Sequence, residues 1–510
     1  MLAKEQWGGR PGKTAIDLVM SKEMMITTYH LLKKNGAITD VDATACYDRI
    51  PPILMWLAYF KAGAPWHLIL LFAKALEQLL YYIVTAFGKS TIANSHSEFN
   101  QFLGPGQGAT DSPFAWALIS SILFRVFNKR AFGCTVSDPT REITWTRAID
   151  AFVDDSYLFH GLAIIIGFNA LIQAIQHDIA LWSKLLWVSG GAINYSKSFY
   201  SVMVWKFSPT GQAYLTPNSE LPTQPVEVQN PSNNMETHTI KRKCVTEGTK
   251  TLGVVKSADL NQKGEYKNLL KKAKKFTKAL ISCPLNHFHA WLAYTTVFIP
   301  AVTYSFPTTS LSEEQCTTIQ KTIKPALLSK MGLPPTLPND IVYGDQYFGG
   351  IGLYQLFAEQ GMNQTLLFLR HTRAQTDLGR QINIALRHYQ LQAGITKHVL
   401  EDTRPLVYLH YPWFDTLRQY LHQISGTLTL TDDWKPEVQR EHDSFIMERF
   451  LSCNQYTKRQ LEILNACRIF LQVSRISDIA TTDGKRLHYR MRTGNITQAE
   501  ITEYRTGLYE

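Results

Sequence analysis

Three carboxylates lie in two short segments, Asp42 in Thr39-Asp40-Val41-Asp42 and Asp154-Asp155 in Ala151-Phe152-Val153-Asp154-Asp155-Ser156-Tyr157-Leu158-Phe159. Carboxylates brought close together repel one another and raise their own pKa values unless divalent cations neutralise them, and hard oxygen ligands suit Mg²⁺. Two such ions roughly 4 Å apart clamp the attacking and leaving oxygens of an in-line phosphoryl transfer. An Asp pair alone is weak ground for this chemistry, because most such pairs are solvated turns. Thr431-Asp432-Asp433-Trp434, followed by Pro436, reads as one of those. The reading therefore depends on elements that bring the two segments together.

Apolar and aromatic residues on both sides of Asp154-Asp155 predict a hairpin with its charges at the tip. Polar–apolar alternation around Ile38 and Val41 predicts a strand that ends near Asp42, after which Tyr47-Asp48-Arg49 begins an irregular segment. If the two strands are neighbours in one sheet, Asp42 and Asp154 can meet. Residues 14–34 read as a helix, 53–88 as one or two buried helices, and 161–187 as a helix packed behind the acidic hairpin. The stretch 208–248, rich in Pro, Ser, Thr and Asn, reads as a mobile loop insertion. Between Lys263 and Lys278 stand seven lysines and one glutamate. Tyr266, Leu269, Leu270, Ala273, Phe276 and Leu280 recur there at helical spacing, while Lys267, Lys271, Lys274 and Lys278 form a stripe on another face, so an amphipathic helix with a basic edge is expected. Leu333-Pro334-Pro335 to Pro338 marks a boundary, and the remainder reads as mostly helical, most clearly from Leu353 to Leu386. Arg440-Glu441-His442-Asp443 and Asp483-Gly484 carry no chemistry that can be named.

Further segments follow in order along the chain, and with them it resembles the reverse transcriptases of non-LTR (LINE-like) retrotransposons. Gln6-Trp7-Gly8-Gly9-Arg10-Pro11-Gly12-Lys13-Thr14 is similar to a fingers motif of that family. Gly104-Pro105-Gly106-Gln107-Gly108-Ala109-Thr110-Asp111-Ser112-Pro113 is similar to its template-supporting loop, Gly191 to Ser198 to its Asn-x-x-Lys segment, and Thr251-Leu252-Gly253-Val254 to its primer-grip turn. Phe348-Gly349-Gly350-Ile351-Gly352-Leu353 resembles a segment found downstream of the thumb. The resemblance covers roughly residues 5–255, and its strength lies in the order and spacing of the motifs together.

It implies an α+β fold: a right-hand polymerase palm, an antiparallel sheet with packed helices, carrying partial fingers and followed by a helical thumb. The implied divisions are residual fingers at 1–35, palm with fingers elements at 36–255, thumb at 256–335 and a mostly helical C-terminal region at 336–510. Asp42, Asp154 and Asp155 would be the metal ligands for two Mg²⁺ ions, with Mn²⁺ as a substitute, and Lys197 would neutralise or protonate the leaving pyrophosphate. Tyr47 would exclude a ribose 2′-hydroxyl, Gln107 and Gly108 would lie against the nascent pair, and Arg10 and Lys13 would face the triphosphate. Leu252 and Gly253 would hold the primer, and the Lys267, Lys271, Lys274 and Lys278 stripe would track duplex phosphates. Partners would be an RNA template, a DNA primer, the RNA–DNA hybrid and deoxynucleoside triphosphates. The acidic turn departs from the family in having Val153 where Ala is common. Residues 1–14 already lie in the second fingers motif, so the preceding fingers strands are expected to be missing, as in a fragment of a longer product or a decayed copy.

Composition is consistent with this reading. A chain of 510 residues, 45% hydrophobic and 12% aromatic, can bury a sizeable core, and a net charge of +10 favours a polyanionic partner. Seven scattered cysteines without a Cys-x-x-Cys predict reduced thiols in an intracellular protein, nuclear or cytoplasmic, and argue against a zinc knuckle and against secretion. The apolar runs Leu68–Ala73 and Leu162–Gly167 are too short to span a bilayer, and no signal-peptide core opens the chain. An RNA-making palm polymerase lacks support, since a Gly-Asp-Asp turn is absent and Tyr47 suits a deoxynucleotide gate. A catalytically inactive or fragmentary palm-derived nucleic-acid-binding protein is the alternative that the short fingers favour and the three aspartates oppose.

Overall fold

A computed structural model describes residues 2–430 apart from 45, 46, 48, 96–111, 140, 162–166, 209–212 and 394–396. The described residues divide into two compact units, one up to Glu247 and one from Gly248 onward.

The first unit opens on helix α1 (Ala15–Leu32), whose start is fixed by a capping box: Asp17 N–H donates to Thr14 Oγ1, and Thr14 N–H donates back to the Asp17 carboxylate. It leads into β1 (Gly36–Val41), α2 (Pro52–Lys61) and α3 (Trp66–Glu77), then four two-residue strands, β2 (Leu80–Tyr81), β3 (Val84–Thr85), β4 (Gly88–Lys89) and β5 (Asn94–Ser95). Next come α4 (Ser112–Arg130), β6 (Cys134–Ser137), β7 (Thr144–Arg147), β8 (Ile149–Phe152), β9 (Asp155–His160), α5 (Phe168–Val188) and β10 (Phe199–Met203). The unit closes with β11 (Trp205–Phe207), β12 (Ala213–Leu215), β13 (Val226–Asn230) and β14 (Asn233–Lys243).

Six strands form one sheet in the order β13-β14-β10-β1-β9-β8, antiparallel except for the β10–β14 pair. Alternation along the strands sends neighbouring side chains to opposite faces. Asp40 of β1 meets Lys22 of α1 at 2.5 Å and Lys22 sits over the Tyr157 ring. The adjacent Thr39 instead bonds to His160 Nε2, whose Nδ1 pairs with Asp178 of α5. Helix α1 thus covers one face of the sheet and α5 the other. Because α1 is enclosed along its whole length, every residue from Ile16 to Leu31 is buried. Behind α5, Trp182 stacks on Phe124 and meets Phe127 edge-on.

Two expectations are corrected. The stretch 208–248 is not one loop: β13 and β14 extend the central sheet, with Val226, Val228 and Ile240 buried at period-two positions that its Pro- and Ser-rich composition masks. The helices expected in 53–88 are α2 and α3, which end at Glu77 ahead of the short strands β2 to β4, and each is buried on one face only. They enclose Met55, Ala58, Tyr59, Ile69, Ala73 and Leu76, while Phe60, Trp66, Leu71 and Phe72 stay exposed, because apolar residues surround both helices and only one face of each meets the core.

The second unit begins with the hairpin β15 (Thr249–Thr251) and β16 (Val254–Lys256), then α6 (Lys263–Ser282), α7 (His287–Ala293), a π-helical turn at Tyr294–Phe298, α8 (Ile299–Thr303), α9 (Glu313–Lys330) and α10 (Asn339–Tyr343). Helices α11 (Leu356–Arg373), α12 (Asp377–Ala393) and α13 (Pro412–Gln423) complete its described part. Helix α6 is amphipathic as expected, with Leu269, Ala273 and Leu280 buried. Taken together the described residues are α+β, with the sheet in the first unit and the second helical after its opening hairpin. No helix among them is long and apolar enough to cross a membrane. Among them Cys134, Cys244, Cys283 and Cys316 are free thiols.

Candidate active site

The β8–β9 hairpin pairs up to Phe152 and Asp155, leaving Val153 and Asp154 as its connection. A two-residue hairpin turn needs positive φ, a conformation that Asn or Gly takes readily. Here a β-branched residue takes it, Val153 at φ 60°. Its N–H donates to Gln6 Oε1 at 3.1 Å and its carbonyl accepts from Trp116 Nε1 at 2.5 Å. The Gln6 segment lies along β8, with Trp7 N–H donating to the Ala151 carbonyl and Ala151 N–H to the Glu5 carbonyl.

Asp42 follows the last residue of β1. The β1–β9 register pairs Val41 with Ser156, so its continuation sets Asp42 opposite Asp155. The other flank of Asp42 is the 191–198 segment: Asn194 N–H donates to the Asp42 carbonyl at 2.8 Å, and Asp42 N–H donates to Ser198 Oγ at 3.2 Å. Lys197 Nζ lies 3.6 Å from Asp42 Oδ2, with the lysine largely exposed. Two neighbouring strands therefore carry all three expected carboxylates to one end of the sheet.

The carboxylates act on one another electrostatically, with lysines opposing them. Burial raises the Asp154 carboxyl, and the Asp42 charge adds to it, with Lys197 opposing. Asp155 is pushed up to about 6 by burial first and then by Asp154, Asp42 and Asp40, with Lys22 opposing. A divalent cation offsets such repulsion, and the donors are all hard carboxylate oxygens, so the set fits Mg²⁺ in its chemistry. In its spacing it is open: among the described residues no three His, Cys, Asp or Glu side chains converge closely enough to form a metal-holding group.

Of the other expected residues, Tyr47 is half-buried against the core beyond Asp42. Arg10 donates to the Ala3 carbonyl, and Lys13 donates to the Lys4 carbonyl while sitting over the Trp7 ring. Gln107 and Gly108 lie outside the described residues, as do Asp48 and the 431–510 region with its Asp432-Asp433 and Arg440–Asp443 segments. In the second unit, Leu252 at φ 45° and Gly253 at φ 91° form the two-residue turn between β15 and β16, and Tyr304 Oη donates to the Leu252 carbonyl. Lys267, Lys271, Lys274 and Lys278 are all exposed on α6. Sequence reasoning missed the supports of the acidic turn, Gln6 and Trp116.

No protein-family model and no curated protein sequence matches the chain. Among solved structures it is similar to telomerase from Candida albicans in complex with a fragment of telomeric RNA, at 12% identity and TM-score 0.30 over 75% of this chain. It is also similar to telomerase from Candida tropicalis, with the telomeric RNA fragment at 11% identity and TM-score 0.28 over 82% of this chain, and without it at 10% and 0.26 over 96%. The chain spans 51%, 53% and 58% of those proteins' lengths. Similarity of this size leaves the architecture to rest on its own sheet and helices.

Proposed function

We propose that the chain is a reverse-transcriptase-like polymerase of a retroelement, an RNA-directed DNA polymerase that adds deoxynucleotides to a primer 3′-hydroxyl. The observation that carries this reading is Asp42 at the end of β1, opposite the Val153–Asp155 turn of the adjacent hairpin and 3.6 Å from Lys197. On this reading the six-stranded sheet is the palm, residues 1–35 belong to the fingers, and α6 opens the thumb. Asp42, Asp154 and Asp155 would hold the divalent cations. When bound, those cations supply charge neutralisation at the attacking and leaving oxygens.

The chain's own residues divide the remaining work. The exposed Lys197 ammonium neutralises charge on the departing pyrophosphate or delivers a proton to it. The Tyr47 ring closes the space beside C2′, leaving room for hydrogen but not for a hydroxyl. The Leu252–Gly253 turn supports the primer, and the exposed lysines of α6 follow the backbone phosphates of the hybrid.

Purified chain incubated with a DNA primer annealed to an RNA template, deoxynucleotides and Mg²⁺ tests the proposal. Asp154→Asn abolishes extension and leaves hybrid binding intact; equal extension by wild type and variant refutes the assignment. The open spacing of the carboxylates favours a second reading, a palm-derived nucleic-acid-binding protein without catalysis. A wild-type chain that binds the hybrid in a salt-sensitive manner yet never extends it selects that reading.

A further inference from the structure

Val153 stands immediately before Asp154 at φ 60°, a conformation that β-branched residues rarely adopt. Nothing in its own side chain favours that geometry, so its surroundings must impose it. Both of its main-chain polar groups are held by side chains from distant parts of the sequence, the N–H by Gln6 and the carbonyl by Trp116. Gln6 is itself fixed: it is 1% exposed, its Nε2 donates to Ser120 Oγ of α4 at 3.0 Å, and its Oε1 also accepts from Gly8 N–H at 3.1 Å. Gly8 leaves room for the valine, since a Cβ there would lie 2.7 Å from Val153 Cγ2.

We infer that Gln6, Gly8 and Trp116 are positioning residues, a clamp that fixes the peptide planes on both sides of Val153 and so aims the Asp154 carboxylate. Released from either hydrogen bond, Val153 relaxes toward negative φ, and the turn type that results splays the strands it joins. Asp154 then leaves its place at the end of the sheet. The consequence for catalysis rests on the polymerase reading; the clamp itself does not.

The test uses Gln6→Met, which keeps side-chain length and removes both the acceptor and the donor. Amide hydrogen exchange across residues 152–155 accelerates about tenfold or more once the buried N–H loses its partner, while exchange in β1 and α5 is unchanged. Mn²⁺ affinity falls, and in primer extension kcat falls about tenfold with the nucleotide KM within about twofold. In a Val153→Gly background the same Gln6→Met change costs about twofold or less, because glycine takes positive φ without strain. Filling or packing alone would give equal losses in both backgrounds. Unchanged exchange at 152–155, or an equal loss in the Val153→Gly background, overturns the inference. If the wild-type chain does not extend primers the polymerase reading fails, and exchange and Mn²⁺ binding still decide the clamp. Should Gln6→Met not fold, Trp116→Phe, which keeps a ring and removes the N–H, must give the same pattern.

Discussion

Replacing Asp155 with Asn should make the metal-free protein more stable. Asp155 begins β9, and its carboxyl is raised from 3.8 to about 6 by burial and by Asp154, Asp42 and Asp40. A carboxyl whose folded pKa exceeds its unfolded value binds its proton more tightly in the folded state, so stability falls as pH rises through that interval. The unfavourable contribution is absent below about 3.8, develops up to about 6 and is complete above it. At about 1.36 kcal/mol per pH unit that displacement corresponds to about 3 kcal/mol, and solvent contact at this half-buried group screens it to about 1 kcal/mol. Asparagine keeps the shape and removes the charge. In EDTA at pH 7.5 the variant should therefore melt roughly 2–4 °C above wild type, and the difference should vanish near pH 4. Saturating Mg²⁺ should raise the wild type selectively by mass action. A variant equal to or less stable than wild type at pH 7.5 in EDTA, or a difference unchanged at pH 4, refutes the repulsion argument.

Asp178→Leu should cost about 3–5 kcal/mol in urea unfolding at pH 7, because this enclosed carboxylate accepts from His160, His177 and the Phe132 N–H. Burial pushes its pKa up, but these hydrogen bonds outweigh it and hold the group below the usual range. Its stabilisation is therefore present at neutral pH and lost as pH falls through the acid range, and a wild-type protein no more stable than the variant at pH 7 rejects the network. On α6, Lys271→Glu with Lys274→Glu should lower the slope of log affinity against log salt for an RNA–DNA hybrid by roughly 2. Helicity by circular dichroism should be unchanged, and an unaltered slope in fluorescence anisotropy removes the stripe from the interface.

Much of the candidate site's backbone placement was legible because short-range patterns encode it. Apolar residues flanking Asp154-Asp155 specify two strands and a tight turn wherever they occur, and the alternation before Asp42 specifies β1. The lysine and apolar spacings of α6 likewise fix which face is wet. The strands β13 and β14 escaped because proline and serine between and around them dominate the composition, while their alternation spans only a few buried residues. The exposure of Phe60, Trp66 and Leu71 escaped for the opposite reason: helices apolar on all sides read as buried, and only tertiary contacts decide which sides find partners. The contacts at Val153 were beyond reach, since Gln6 and Trp116 meet it across separations of 147 and 37 residues.

The acidic turn carries two costs that no local preference offsets, a valine at positive φ and carboxylates whose charges repel. Either alone would favour opening the hairpin, by relaxing the backbone or by moving the charges apart. What opposes opening is the enclosure around it: α1 and α5 cover the two faces of the sheet, and α4 supplies both Trp116 and the Ser120 that fixes Gln6. Strain of this kind persists only where surrounding structure over-determines it. A sequence under pressure for stability alone would relieve it with a single glycine at 153 or a single asparagine at 155, so retaining both costs at the residues that flank Asp154 is the physical reason to look for function at this turn rather than elsewhere on the sheet.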